Sequence, residues 1–338
     1  MLSDRSACRV SVVIPAFNRE NFLARTLDSV LAQTLRDWEL VVSDDGSTDG
    51  TRNVADRYQH EDARIRVVSG PNGGVAAARN RGLAATDPAT SFVAFLDSDD
   101  LWEPDTLEVL VGWLDSHGDH IAVYGRAACI DDEDQFIPGD DLPARMRERQ
   151  RVRSGELVSI GVDEPITFAA MVAHNWIVTP GLCIVRRPVI EQVGAFDSAV
   201  DPADDWDLNI RMSRIGDIGF IDRRVLRWRR HPDTLTNSSD RWRRAYYRVR
   251  RKMLTDPTNT TEQTRMVLTC YRLDFEGAVA AARQCASRRD LRGTAKAIAR
   301  TADRLGRRLR AVITARFAPY TRLPRWRRTT DSGLSGSA

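Results

Sequence analysis

The strongest constraint on this 338-residue chain is a rhythm in its first hundred residues. Short β-branched runs at 10–14, 38–43, 65–68 and 92–96 alternate with single helical patterns at 21–33, 51–58 and 75–85. In the first helix Phe22, Leu23, Leu27, Val30 and Leu31 share one face. Strands joined by one helix each need crossover connections. The expected fold is therefore α/β, with a doubly wound, Rossmann-like, mainly parallel sheet. Ligands of such sheets sit beyond the carboxyl ends of the strands. The loops at 15–20, 44–50 and 97–100 should then line one edge.

The later chain is less regular. A helix is expected from about 104 to 116 and a strand over 120–129, followed by a charged surface excursion at 131–165 with no clear period. Strands at 182–186 and 218–228 flank a helix from 204 to about 215, and helical patterns dominate from Arg241. The expected division is an α/β domain at 1–235, a basic helical region at 236–330 and a disordered tail at 331–338. No internal repeat is visible.

Hydrophobic residues at 42% and charged residues at 29% describe a globular chain. No run reaches the roughly eighteen apolar residues that a membrane-spanning helix needs, and the first residues have no apolar signal-peptide core. Cys8, Cys129, Cys183, Cys270 and Cys285 are scattered without a CxxC pair, which argues against disulfides or zinc and for a cytoplasmic location. The net charge of +3 conceals an asymmetry. Residues 240–338 hold 24 Lys and Arg against 8 Asp and Glu, whereas the rest holds 26 against 39. An acidic part suited to cations precedes a basic part suited to something anionic. Only Lys252 and Lys296 are lysines, a compositional bias that weakens arguments from arginine choice.

Asp97-Ser98-Asp99 is the most informative triplet. Carboxylates at i and i+2 past a buried strand can converge on Mg²⁺ or Mn²⁺, which keeps waters and takes further ligands from substrate phosphates. The alternative is an acidic turn capping the next helix. Asp44-Asp45-Gly46-Ser47 reads as an Asx turn without the ligand pattern of an EF-hand. Neither GxGxxG nor GxxxxGK[ST] occurs, against dinucleotide and P-loop classes. Gly73-Gly74, ahead of Arg79-Asn80, places amides and a guanidinium where a phosphate could bind, though tight packing explains the glycines equally well. Asp204 and Asp205 open a helix with apolar Trp206, Leu208, Ile210 and Met212, so they are either N-terminal caps or a positioned base.

Together these segments resemble a known family. Ser11-Val-Val-Ile-Pro-Ala-Phe-Asn-Arg-Glu20, Val42-Ser-Asp-Asp-Gly-Ser-Thr-Asp49, Gly74-Val-Ala-Ala-Ala-Arg-Asn80, Phe95-Leu-Asp-Ser-Asp-Asp100, Gly194-Ala-Phe-Asp197 and Asp204-Asp-Trp-Asp-Leu208 are similar, in order and spacing, to the inverting family 2 glycosyltransferases. The resemblance covers roughly residues 9–232. It implies a GT-A fold and metal-dependent transfer of one sugar from a nucleotide-diphosphate sugar, usually a UDP-sugar, to an acceptor hydroxyl. Surface polysaccharide, glycolipid or cell-envelope synthesis is the implied setting. By resemblance, Pro15, Ala16, Phe17, Asn18 and Arg19 line the nucleotide, Asp45 meets the base, and Arg79 and Ser98 lie nearby. Asp97 approaches the ribose or the metal, Asp99 binds Mn²⁺ or Mg²⁺, and Asp205 is the general base. This chain has Asp204 where the family commonly has Glu.

His231, in Arg229-Arg-His-Pro232, corresponds to a histidine that some relatives place near the metal; a surface position is the alternative. Trp176 is the best candidate sugar platform among the tryptophans. The Gln-x-x-Arg-Trp of processive synthases is replaced by Arg224-Val-Leu-Arg-Trp228 and Ser238-Ser-Asp-Arg-Trp242, which favours addition of a single sugar. A nucleotidyltransferase or an inactive nucleotide-sugar-binding protein are the rival readings. The basic end carries no nucleic-acid-binding motif. Around 304–316, Leu305, Leu309, Val312 and Ile313 recur at helical spacing among Arg304, Arg307, Arg308 and Arg310. Such a helix either packs with a solvated basic face or attaches peripherally to an anionic membrane that carries a lipid-linked acceptor.

Overall fold

The structure, a computed structural model, describes residues 8–140, 142–231, 239–287 and 291–317; the expected tail at 331–338 lies outside them. The leading β-branched runs form strands β1 (Val10–Ala16), β2 (Trp38–Asp44), β3 (Ile65–Ser69) and β4 (Phe92–Phe95). Helices α1 (Leu23–Leu31), α2 (Thr51–Glu61) and α3 (Val75–Ala84) connect them. Every residue of β1, β2 and β4 is buried, as expected of a sheet covered on both faces.

Beyond β4 come β5 (Leu101–Trp102), α4 (Thr106–Ser116), β6 (Ala122–Ile130), α5 (Leu142–Arg145), β7 (Gln150–Arg153), β8 (Glu156–Ser159) and α6 (Phe168–Met171). The α/β layer is completed by β9 (Cys183–Arg186), α7 (Arg187–Val193), α8 (Asp204–Met212) and β10 (Ile218–Arg229). Eight strands form one sheet in the order β3-β2-β1-β4-β9-β6-β10-β5. β3, β2, β1 and β4 are mutually parallel; β9 runs antiparallel to both β4 and β6, and β5 antiparallel to β10. The sheet is mainly parallel, and the carboxyl ends of β1, β2 and β4 share one edge, as the loop positions required.

The excursion at 131–165 is not formless. β7 and β8 make a hairpin whose turn, Ser154-Gly155, has positive φ at both residues (52° and 88°). That geometry suits a two-residue hairpin turn, but the flanking Gln-Arg-Val-Arg and Glu-Leu-Val-Ser carry little strand propensity. Helix α7 also escapes the periodicity because it has only seven residues.

Three helices follow: α9 (Ser239–Thr255), α10 (Thr261–Ser287) and α11 (Leu291–Phe317). They pack on the α/β layer. Tyr246 of α9 stacks on Trp206 of α8 with ring centroids 3.9 Å apart, and Val267 and Cys270 of α10 are buried. Cys129, Cys183 and Cys270 are buried and unbridged. No helix among the described residues is long and apolar enough to cross a membrane.

The small residues of α3 have a packing reason. A Cβ at Gly82 would lie 2.5 Å from Val13 Cγ1 of β1 and 3.3 Å from Ser43 Cβ of β2. Val13 is fully buried and stiff at χ1, so it cannot step aside. Gly82→Ala should therefore destabilise the fold by roughly 1–3 kcal/mol, although alanine favours a helix by about 1 kcal/mol. Chemical denaturation of the two proteins measures the difference; a more stable variant would disprove this close approach.

Candidate active site

At the shared strand edge lies a cavity of about 460 Å³. Pro15, Ala16, Phe17, Arg19, Asp45, Arg79, Asp97, Ser98, Asp99 and Asp205, all expected from the sequence, line it together with Asp204. Asn18 and His231 do not. Asn18 adopts a left-handed φ of 51°, and its Oδ1 accepts the Thr48 N–H at 2.9 Å. It braces one edge loop against the next.

The carboxylates sit in distinct environments. Asp45 Oδ1 and Oδ2 accept the Gly73 N–H at 3.1 Å each, Oδ2 also accepts the Gly74 N–H at 2.8 Å, and Arg81 donates to Oδ1 at 3.1 Å. The two glycine amides thus serve Asp45, not a phosphate. Gly74 opens α3 at φ +86°, a conformation that favours glycine.

Arg79 of α3 is buried and joins two loops: Nη2 donates to Asp97 Oδ1 at 2.7 Å and Nη1 to Asp204 Oδ2 at 2.8 Å. Thr179 donates to the other Asp97 oxygen at 3.1 Å. Asp99 Oδ2 accepts Arg19 Nε at 3.0 Å and lies 3.1 Å from His231 Nε2. Burial alone would raise the Asp99 carboxyl, but the His231 hydrogen bond and the Arg19 charge outweigh it and hold it below the usual range. Next to it, Asp100 is pushed well above that range by burial and by the charges of Asp99 and Asp97.

Asp204 and Asp205 are buried at the head of α8 and burial raises both, yet only Asp204 is ion-paired among the described residues. Asp204 faces Arg79. Asp205 accepts Asn175 Nδ2 at 3.1 Å and the Trp206 N–H at 2.7 Å, and has no cation partner among the described residues. Burial, and then the charge of Asp204, push Asp205 up to about 7.

Among the described residues no cluster of three or more His, Cys, Asp or Glu side chains makes a ready metal cage. The donor chemistry still fits a hard cation. Asp99 keeps Oδ1 free of hydrogen bonds among the described residues, and Mg²⁺ or Mn²⁺ sites need only one or two carboxylates when substrate phosphates and water complete them.

Several residues of the site escaped the motifs. Asn175 and Thr179 touch the two key aspartates but lie in an irregular segment after α6. Arg241 and Trp242 reach the cavity from α9, and Trp228 reaches it from β10. Both tryptophans belong to the Arg-Trp pairs that lack the processive glutamine. Trp176, the expected platform, instead donates its indole N–H to the Ala170 carbonyl at 3.0 Å and does not line the cavity.

The family model described as glycosyl transferase family 2 matches residues 11–193, more than half of the sequence. The chain belongs to that family. It is 28% identical over 223 residues to the chondroitin synthase of Pasteurella multocida (strain Pm70), covering 63% of this chain and 20% of that one. It is 46% identical over 101 residues to the succinoglycan biosynthesis protein ExoW of Rhizobium meliloti (strain 1021), covering 29% of this chain and 32% of that one. The family 2 chain thus spans only a fifth to a third of these two relatives. Among solved structures, S. aureus TarS 1–349 in complex with UDP-GlcNAc is similar with a TM-score of 0.62 at 18% identity, covering 79% of this chain and 73% of that one. Mannosyltransferase PcManGT from Pyrobaculum calidifontis, in complex with GDP-Man and Mn²⁺, gives 0.59 at 20%, covering 93% and 88%. The fold is GT-A.

Proposed function

We propose that this chain is a metal-dependent, inverting glycosyltransferase that moves one sugar from a UDP-sugar to an acceptor hydroxyl in cell-envelope polysaccharide or glycolipid synthesis. The observation that carries the reading is Asp205: a buried carboxyl raised to about 7, beside a twin paired with Arg79, in the cavity lined by the family's donor motifs. A general base works best with a pKa near the operating pH.

In this reading Pro15 to Arg19 and Asp45 hold the nucleoside, while Arg79 and Ser98 border the diphosphate. Asp205 takes the proton of the acceptor hydroxyl as that oxygen attacks the anomeric carbon opposite the leaving diphosphate. Asn175 orients Asp205. Trp228 and Trp242 help to exclude water from the cleft. Asp99, with Asp97 and His231 beside it, would hold Mn²⁺ or Mg²⁺, which when bound neutralises charge growing on the diphosphate. PcManGT, of similar fold, is a structure with Mn²⁺, and the TarS structure is one with UDP-GlcNAc.

Asp99→Ala should abolish Mn²⁺-dependent UDP binding while the variant still folds with an unchanged far-UV circular dichroism spectrum. Full transfer by that variant, or by the enzyme in excess chelator, would overturn the metal assignment.

Asp205→Asn should lower turnover by roughly 10²–10⁴-fold with little change in UDP affinity. Because the base must be ionised, kcat/KM should rise with pH through about 7. Asp204→Asn removes a like charge, favours ionised Asp205 and should move this limb to lower pH. A limb unmoved in Asp204→Asn, or a larger turnover loss there than in Asp205→Asn, would assign the base to the wrong residue.

The membrane-peripheral setting draws support from α11, but not through a solvated basic face. Arg304 donates to the Asp274 carbonyl, Arg307 lies over Tyr247 and Arg308 over Phe275, so these arginines face the body. Ile298, Leu305, Leu309 and Val312 instead face outward, 57%, 41%, 55% and 47% exposed. With those three arginines turned inward, exposed Arg310 and the net positive charge of 291–317 (8 Lys and Arg against one Asp) add a weak attraction to an anionic lipid surface and oppose a second copy of the helix. The full chain should co-sediment with anionic vesicles more than with neutral ones, and less as salt rises. Leu305→Asp combined with Leu309→Asp should remain in the supernatant; equal sedimentation of this variant would exclude α11 as the contact.

A further inference from the structure

On the far side of Trp242 from the donor cleft, α9, α10 and α11 enclose a second cavity of about 510 Å³. That size lies within the roughly 300–1,000 Å³ of small-ligand sites, and nothing in the proposed chemistry fills it. Its walls carry five arginines against only Asp274 and Asp303, interleaved with Trp242 and three tyrosines.

The donors are not all used internally. Arg250, 5% exposed, pairs with Asp274, but its Nε has no hydrogen-bond partner among the described residues. The buried Trp242 Nε1 also lacks one. Arg300 makes no ion pair among the described residues, and Arg304 reaches only the Asp274 carbonyl at 2.7 Å. With Arg250 paired to Asp274 and both Arg307 and Arg243 to Asp303, Arg300 and Arg304 are the wall arginines without a carboxylate partner among the described residues. A ligand bearing carboxylates or phosphates would receive charge-assisted, forked hydrogen bonds. The aromatic faces suit the apolar faces of sugar rings.

Position supplies the second half of the argument. Trp242 lines both cavities. Tyr246, in the second cavity, stacks on Trp206, the residue that follows Asp205. The second cavity therefore begins one aromatic layer behind the carboxylate assigned to the acceptor's proton.

We propose that this cavity binds the acceptor: an anionic oligosaccharide whose repeating carboxylates or phosphodiesters pair with Arg300 and Arg304 while Trp242 guides its end into the donor cleft. The assignment of this ligand as the acceptor rests on Asp205 being the base; the binding itself does not.

Isothermal titration of the full chain with a hyaluronan hexasaccharide, a glycerol-phosphate hexamer and maltohexaose tests it, with UDP titrated in parallel. At least one anionic oligomer should bind, and the two arms distinguish carboxylate from phosphodiester. Maltohexaose should bind at least tenfold more weakly, and the anionic affinity should fall as salt rises from about 50 to about 300 mM. Arg300→Ala and Arg304→Ala should each weaken that binding by about tenfold, the order of one charge-assisted hydrogen bond. UDP affinity should be unchanged in both. Equal affinity for all three oligomers, wild-type affinity in both variants, or binding to anionic vesicles but to no oligomer would overturn the proposal. Failure of the wild type to bind UDP would instead undo the donor reading and leave this site standing.

Discussion

The guanidinium of Arg79 is the interaction on which the rest of the site depends. It is buried between Asp97, on the loop after β4, and Asp204, at the head of α8. One side chain thus ties the strand-edge half of the cavity to the half carrying the proposed base. Removing one partner from such a buried arrangement typically costs about 3–5 kcal/mol, because the remaining charges lose their compensation. The same contact divides the labour of two adjacent aspartates. Asp204 is held by a cation; Asp205, which lacks one, is pushed up by burial and by Asp204. Burial raises Asp204 as well, but the Arg79 charge opposes that shift, and neighbouring carboxylates with unlike environments are a recurrent way to separate two titrations.

That logic extends along the whole edge. Asp45 is saturated by loop amides, Asp99 is held ionised by His231 and Arg19, and Asp100 is driven toward its neutral form. Carboxylates this close would repel one another in a bare cluster. Here each has its own donors, so the edge carries fixed negative charge at Asp99, where a cation would be wanted, and a protonatable group at Asp205. Backbone geometry does part of this. The loops after β1 and β2 interlock through Asn18 and Thr48, and the Gly73-Gly74 turn closes on Asp45.

What could be read in the sequence was whatever depends on local order. The strand ends, the shared edge, the Asp97-Ser98-Asp99 triplet and the Asp204-Asp205 pair all follow from β-branched runs and the loops after them. Asn175, Thr179 and Trp242 were not legible as site residues, because each reaches the cavity from a distant element and no spacing rule connects them to it. The Gly73 and Gly74 amides were legible as donors but not by destination. α11 shows the limit most clearly. Its periodicity gave the apolar stripe, but a stripe alone does not say which face is buried. Tyr247 and Phe275 accept arginines over their rings, so the basic side packs and the leucines face out.

The charge asymmetry between the two parts of the chain works within the molecule before it can meet anything outside. Lys252 of α9 bonds Asp197 at 2.7 Å and Asp207 at 2.8 Å, and Arg241 pairs with Asp201. These contacts, with the Tyr246 stack on Trp206, seat α9 against the acidic layer and bring Trp242 to the cavity wall. Partly exposed ion pairs add little stability, so their effect here is to fix orientation, while the aromatic stack supplies contact area. The acidic layer does not consume all the positive charge of the helices. Part of what remains lines the second cavity, where Arg250 pairs with Asp274 and Arg307 with Asp303.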